Sequence, residues 1–343
     1  MLLVRHSCAA LVQDCVTPIV RKVTAYMPLP NLVCVGMEKC GTTLLNSVFS
    51  ESRDILTPRK KELFYFNENY DRGADWYQSW YDFDSKPNAR YICDITPSYF
   101  RSELSIRRIC KDLDNPKVLL VLRHPVHRAF SHYVHRIRHI ALNLDAYGKS
   151  FYDELKERAK NPLLFPRYDR VVERMLQYVD RDRLLILVYE SDFLDFEQLN
   201  AKICSFLDIS DLDFGAFKGR QVNKGLMPGI YYGDRKSASS EIELEGETLQ
   251  VPPNHLLLAH AKGTETWDRV DPQTARDNVA AASRWTRTLS ATDVESIYEE
   301  YFSEEIERLC QLTGLDLDAW GMLRDGVAYE RALPPAQYLT RQG

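Results

Sequence analysis

One stretch constrains the fold of this chain more than any other: Leu32–Ser47, reading LVCVGMEKCGTTLLNS. The apolar run Leu32-Val33-Cys34-Val35 ends at Gly36 and has the composition of a buried strand. A short loop with Lys39, Gly41, Thr42 and Thr43 follows, and the spacing Leu44-Leu45-x-x-Val48-Phe49 predicts a helix. Strand, glycine-containing loop and helix together aim backbone N–H groups and a helix N-terminus at an anion. Lys39 adds a positive charge, and the threonines add hydroxyl donors. The arrangement predicts a phosphate cradle, although Gly-Thr turns between strand and helix also occur without a ligand. It departs from the Walker A order, G-x-x-x-x-G-K-[ST], because Lys39 precedes the second glycine.

A length of 343 residues allows one large α/β domain or two small ones. The net charge of −5 gives no global attraction to nucleic acid, so no nucleic-acid partner is expected and any anion site must come from clustered Lys and Arg. No run approaches the ~18 apolar residues of a membrane span. Residues 1–30 are interrupted by His6, Asp14, Arg21 and Lys22, a poor pattern for a signal peptide or anchor. A cytoplasmic location is the default expectation, with the oligomeric state unread. The eight cysteines form no CxxC pair and show no metal-ligand spacing, which predicts reduced thiols. Cys40 in the loop is read as a spacer or, alternatively, as an oxidation-sensitive thiol.

Downstream, Arg59-Lys60-Lys61 runs into Glu62 and then Phe64-Tyr65-Phe66, unlike a plain solvated charge run. Aromatics continue through Tyr70, Trp76, Tyr77, Trp80, Tyr81 and Phe83, as helix packing or as a stacking surface for an acceptor. Tyr91-Ile92-Cys93-Asp94 predicts a second strand, leading into Ile95-Thr96-Pro97-Ser98-Tyr99-Phe100. The continuous apolar run Lys117–Leu122 predicts a buried parallel strand. It ends in Arg123-His124-Pro125, where a nucleotide triphosphatase would place a carboxylate for Mg²⁺, and this argues for an anion and against a metal. A helix with Pro125 near its start follows. His124, His127, His132, His135 and His139 are read as a basic face near phosphates. Arg183–Glu190 is a fourth buried strand, a helix is expected near 195–207, and Glu241–Val251 reads as a hairpin around Glu245-Gly246. A last helix is expected over Asp293–Leu312, with Ser290 as N-cap and Gly314 at its end.

The ordered segments resemble the sulfotransferases that use 3′-phosphoadenosine 5′-phosphosulfate (PAPS). Gly36-x-x-Lys39-x-Gly41-Thr42-Thr43 is similar to their 5′-phosphosulfate loop, and Lys61-Glu62-x-x-Tyr65-Phe66 to the K-E-x-x-F-F segment of carbohydrate and bacterial members. Arg123-x-Pro125-x-x-Arg128-Ala129-x-Ser131-x-Tyr133 is similar to the 3′-phosphate motif. The resemblance spans roughly Leu32–Trp320 with a gap over 226–290. It implies an α/β fold of three αβα layers around a central parallel sheet with a P-loop-like phosphosulfate-binding loop. The implied organisation is an extension over 1–30 and a single domain over 31–343, in which 226–290 is a variable insertion carrying acceptor contacts. Three positions depart from the family pattern: Phe64 for a histidine, Asp94 for a glutamate and Ile95 for a substrate-facing lysine. The last weakens the case for a heavily anionic acceptor.

The implied chemistry moves a sulfuryl group from PAPS to an acceptor hydroxyl. Glu62 is the general base, its neighbouring cations favouring the ionised form, and Lys39 stabilises the leaving phosphate oxygen. Lys39, Cys40, Gly41, Thr42 and Thr43 hold the 5′-phosphate, and Arg123 and Ser131 the 3′-phosphate. Arg220 and Lys224 belong to a basic loop that closes over the cofactor. Asp94 is a second acid/base or orients Lys39. No metal is required. The acceptor reads as a glycan hydroxyl, with a lipid, peptide or small metabolite as alternatives. The competing readings are a P-loop kinase or NTPase using Mg·ATP, and a nucleotide-binding scaffold without catalysis.

Overall fold

Five apolar segments become one parallel sheet, because strands buried on both faces need near-continuous hydrophobic sequence. The computed structural model describes residues 28–140, 149–217, 229–233, 240–244, 247–251, 255–260, 263–267, 272–317, 320, 327–328 and 337–339. The sheet strands are β1 (Leu32–Gly36), β2 (Ile55–Leu56), β3 (Tyr91–Ile95), β4 (Lys117–Leu122) and β5 (Leu184–Val188), in the order β2-β3-β1-β4-β5. All neighbours pair parallel; Val33 sits opposite Asp94 on one side and Val118 on the other. The α/β class expected from the sequence is therefore the observed one. Every residue of β1 is buried, and in β4 only Lys117 is not. The two-residue β2 is too short for any periodicity to reveal.

Helices connect the strands. They are α1 (Thr42–Glu51), α2 (Gly73–Gln78), α3 (Glu103–Asp112), α4 (Pro125–Ile140), α5 (Phe151–Lys156), α6 (Tyr168–Met175), α7 (Tyr189–Asp192) and α8 (Phe196–Leu207). Local chemistry sets their starts. Ser102 accepts from Ser105 N at 3.3 Å, and Asp195 accepts from the amides of Glu197 and Gln198.

In the region expected to be variable, β6 (Gly229–Gly233) is followed by the hairpin β7 (Ser240–Leu244) and β8 (Glu247–Val251), the hairpin read from the sequence. Strands β9 (Leu256–His260) and β10 (Gly263–Trp267) extend a second sheet, and α9 (Pro272–Ala282) and β11 (Thr288–Leu289) complete the region. The single C-terminal helix expected over 293–312 is two helices, α10 (Ala291–Tyr301) and α11 (Ser303–Thr313). Phe302 breaks it at φ −129°, ψ −25°, its side chain sunk into the core. Ser290 does cap α10, and Gly314 ends α11 in a left-handed conformation. After these, β12 (Val327–Ala328) pairs with β11, and β13 (Gln337–Leu339) runs parallel to β6. Among the described residues no helix is long and apolar enough to cross a membrane.

Candidate active site

A parallel sheet points all its strand C-termini to one edge, and ligands in such folds bind there, where strand order reverses. Here the loop after β1, the segments after β2 and β3, and the residues after β4 and β5 meet along that edge.

The loop after β1 is held from several sides. Met37 N donates to Val121 O at 2.9 Å, and Met37 and Cys40 are fully buried. Lys39 adopts φ +69°, a left-handed conformation that a lysine enters only when its surroundings impose it. Two arginines supply that constraint. Arg123 Nη1 donates to Lys39 O at 3.0 Å, and Arg101 grips the adjacent Glu38 carboxylate at 2.6 Å. Burial raises the Glu38 pKa, opposed by Arg101. Gly41 has φ +92°, and a Cβ there would lie 2.7 Å from the Phe193 ring, so only glycine fits. The N-cap of α1 is Gly41, so among the described residues no N-cap side chain occupies its first-turn amides.

The segment after β2 brings in the carboxylate. Glu62 N donates to Ile95 O at 3.3 Å, and Glu62 and Phe64 are left-handed at φ +63° and +52°. Lys61 Nζ lies 2.9 Å from Glu62 Oε1 and 3.4 Å from both the Thr42 and Thr43 hydroxyl oxygens. Lys61 thus joins the carboxylate to the loop. Its sequence signal was its place directly before Glu62, but a run of three cations does not say which one turns inward.

Asp94 lies behind this edge, fully buried. Its Oδ2 accepts from the hydroxyls of Tyr77 (2.7 Å) and Tyr99 (2.9 Å), and its Oδ1 from Thr96 (2.8 Å). Tyr99 Oη in turn accepts from Tyr65 N, which ties the segment after Glu62 to β3. Burial raises the Asp94 pKa against these three hydrogen bonds. Tyr65 stacks on Tyr77 at 4.1 Å, and Phe66 and Tyr81 are buried, so much of the aromatic run is core.

After β4, Arg123 lies over the Tyr189 ring at 4.9 Å, and Tyr189 stacks on Phe193. Glu190 Oε1 accepts from His124 N and its Oε2 from Trp320 Nε1, both at 3.0 Å. Ser131 is half-buried on α4. For two of the five histidines expected to form a basic face, His124 and His132, that expectation is corrected here. Burial, then His127, lower the His124 pKa to about 3, and burial, then Arg128, lower that of His132 well below the ordinary value. Both shifts favour the neutral ring.

Cys40 is a free thiol, its pKa pushed up to about 12 by burial, and the spacer reading fits it. Cys34, Cys93, Cys110, Cys204 and Cys310 are also free, while Cys8 and Cys15 lie outside the described residues. Arg220 and Lys224 lie outside them as well. Among the described residues no group of three or more His, Cys, Asp or Glu side chains could hold a metal ion. Glu38, Arg101 and Phe193 are site residues that sequence reasoning did not name, and Lys61, Tyr189 and Glu190 lay in segments it read without giving them a role of their own at the site. Most are contributed by elements whose contact is visible only in three dimensions.

The family model described as "Sulfotransferase domain" matches residues 29–224. The membrane-associated sulfotransferase kil1 of Dictyostelium discoideum is 34% identical over 116 residues, 34% of this chain and 25% of that protein. The bifunctional heparan sulfate N-deacetylase/N-sulfotransferase 2 of Mus musculus is 30% identical over 178 residues, 46% of this chain and 20% of that protein. These matches span only a quarter or less of the length of those relatives. A solved sulfotransferase from Alicyclobacillus acidocaldarius has the same fold, with TM-score 0.51 and 22% identity over 85% of this chain and 98% of that one.

Proposed function

The chain belongs to the sulfotransferase domain family, and from that premise we propose that it transfers a sulfuryl group from PAPS to an acceptor hydroxyl. The observation that carries this reading is the sheet edge itself. There the left-handed Lys39 accepts from Arg123, which stands just beyond β4 where the sequence has no carboxylate for a metal, and the hydroxyls of Thr42 and Thr43 meet the Lys61–Glu62 pair.

The residues present fit such a donor. The uncapped start of α1 and the hydroxyls of Thr42 and Thr43 suit a 5′-phosphate. Among the described residues the buried Arg123 Nε has no hydrogen-bond partner, lying 3.9 Å from Glu190, and it suits a second phosphate with Ser131. PAPS supplies an activated sulfuryl group on a phosphate leaving group. Glu62 takes the acceptor's hydroxyl proton while the acceptor oxygen bonds to sulfur and the bond from sulfur to the phosphate oxygen breaks. The electron pair of that broken bond stays on the phosphate oxygen, where Lys39 neutralises it. Asp94 has its carboxylate engaged by three hydroxyls, so its role is to hold the wall that carries Glu62. A glycan is the favoured acceptor, supported by the heparan sulfate relatives.

Calorimetric titration with 3′-phosphoadenosine 5′-phosphate, ADP and ATP, with and without Mg²⁺, tests the proposal. Tight metal-independent binding that requires the 3′-phosphate and falls at least about tenfold in Arg123→Ala is expected, the loss of a charge-assisted contact. Preference for Mg·ATP would overturn it in favour of a kinase or NTPase.

A further inference from the structure

Lys61 occupies a position with two claims on it. Its ammonium holds Glu62 Oε1 at 2.9 Å and lies 3.4 Å from the hydroxyls of Thr42 and Thr43, the groups that begin α1. The Lys61 side chain is 20% exposed and that of Glu62 37%, so water reaches the pair. A half-exposed ion pair of this kind is weak, because solvent screens it and two flexible side chains must be held in one geometry. A multiply charged phosphate competes well for the same ammonium, since contacts between an ammonium and phosphate oxygens are strong and charge-assisted. An anion resting on the two threonine hydroxyls falls within reach of Lys61. While Lys61 holds Glu62 Oε1, an acceptor hydroxyl must compete with the ammonium for that oxygen.

We propose that Lys61 is shared between two anions: Glu62 in the free protein, and the donor's 5′-phosphate group in the loaded one. Donor binding then draws Lys61 away from the carboxylate and frees the base when there is something to transfer. The inference rests on the PAPS reading above and assigns Lys61 as the residue that couples donor occupancy to Glu62. The coupling is reciprocal: a carboxylate that competes for Lys61 must also oppose donor binding.

A double-mutant cycle read by binding, with no acceptor needed, tests this. The probe is 3′-phosphoadenosine 5′-phosphate, titrated calorimetrically into the wild type, Lys61→Gln, Glu62→Gln and the double variant. Lys61→Gln is expected to weaken binding about tenfold, and Glu62→Gln to tighten it about threefold or more by releasing Lys61. In the double variant the gain from Glu62→Gln vanishes, leaving affinity close to that of Lys61→Gln alone. Lys61→Arg, which keeps the charge, retains the gain. Adenosine 3′-phosphate, which lacks the 5′-phosphate, responds to neither substitution. An equal gain from Glu62→Gln in both backgrounds would mean that the carboxylate acts by general repulsion, and the sharing would be overturned. No binding of 3′-phosphoadenosine 5′-phosphate by the wild type would instead overturn the PAPS reading, and this inference with it.

Discussion

Two carboxylates at the sheet edge illustrate how position decides a residue's work. Glu62 is partly exposed, left-handed and paired with a lysine, while Asp94 is fully buried under three hydroxyls. Their variants should separate. As the proposed general base, Glu62 is expected on substitution by Gln to lower sulfuryl transfer by about 10²–10⁴-fold with an unchanged melting temperature. Asp94→Ala leaves the Tyr77, Tyr99 and Thr96 hydroxyls buried without their acceptor and should cost about 3 kcal/mol or more, seen as a lower urea midpoint. Equal melting temperatures for Asp94→Ala and wild type would contradict the clamp. The left-handed conformation of Lys39, Glu62 and Phe64 was beyond reach of the sequence, because none is a residue type that favours it.

At the scale of elements, the start of α4 carries a pH dependence. The folded pKa of His124, about 3, lies below the ordinary 6.5, so between these values the unfolded chain binds a proton that the folded chain excludes. Stability therefore falls as pH drops from about 6.5 toward 3, by about 1.4 kcal/mol per pH unit within the window. Glu305 acts oppositely. Burial raises its pKa to about 7, which favours the folded state as pH falls toward 4.5. Denaturant titrations of wild type and His124→Gln isolate the first effect: the difference in stability should shift by that slope between pH 6 and 4, and parallel curves would refute it. The break between α10 and α11 belongs to the same scale. No Gly or Pro marks it, and the cause is the burial of Phe302 against the core, a tertiary demand that helical periodicity does not record.

For the whole molecule, the C-terminal part reaches the active-site edge through Trp320. Its Nε1 donates to Glu190, beside Arg123, and its backbone oxygen meets His124 Nε2 at 3.2 Å. Trp320→Phe should strand Glu190 Oε2 in the interior, lower stability by about 1–3 kcal/mol, and reduce the preference for 3′-phosphorylated nucleotides. An unaltered preference would detach the C-terminal part from the site. The sequence by itself determined the parallel α/β architecture and the loop, since buried strands need continuous apolar runs and a phosphate cradle needs Gly, Lys and Thr in a fixed order. It also placed Lys39 and Arg123 just beyond strands, and Glu62 where a run of cations passes into aromatics. Only the tertiary structure decided which cation turns toward Glu62, which carboxylate is sequestered, and which histidines stay neutral. Those outcomes depend on burial and on partners such as Arg101, Tyr99 and Trp320, brought together by the sheet from distant parts of the chain.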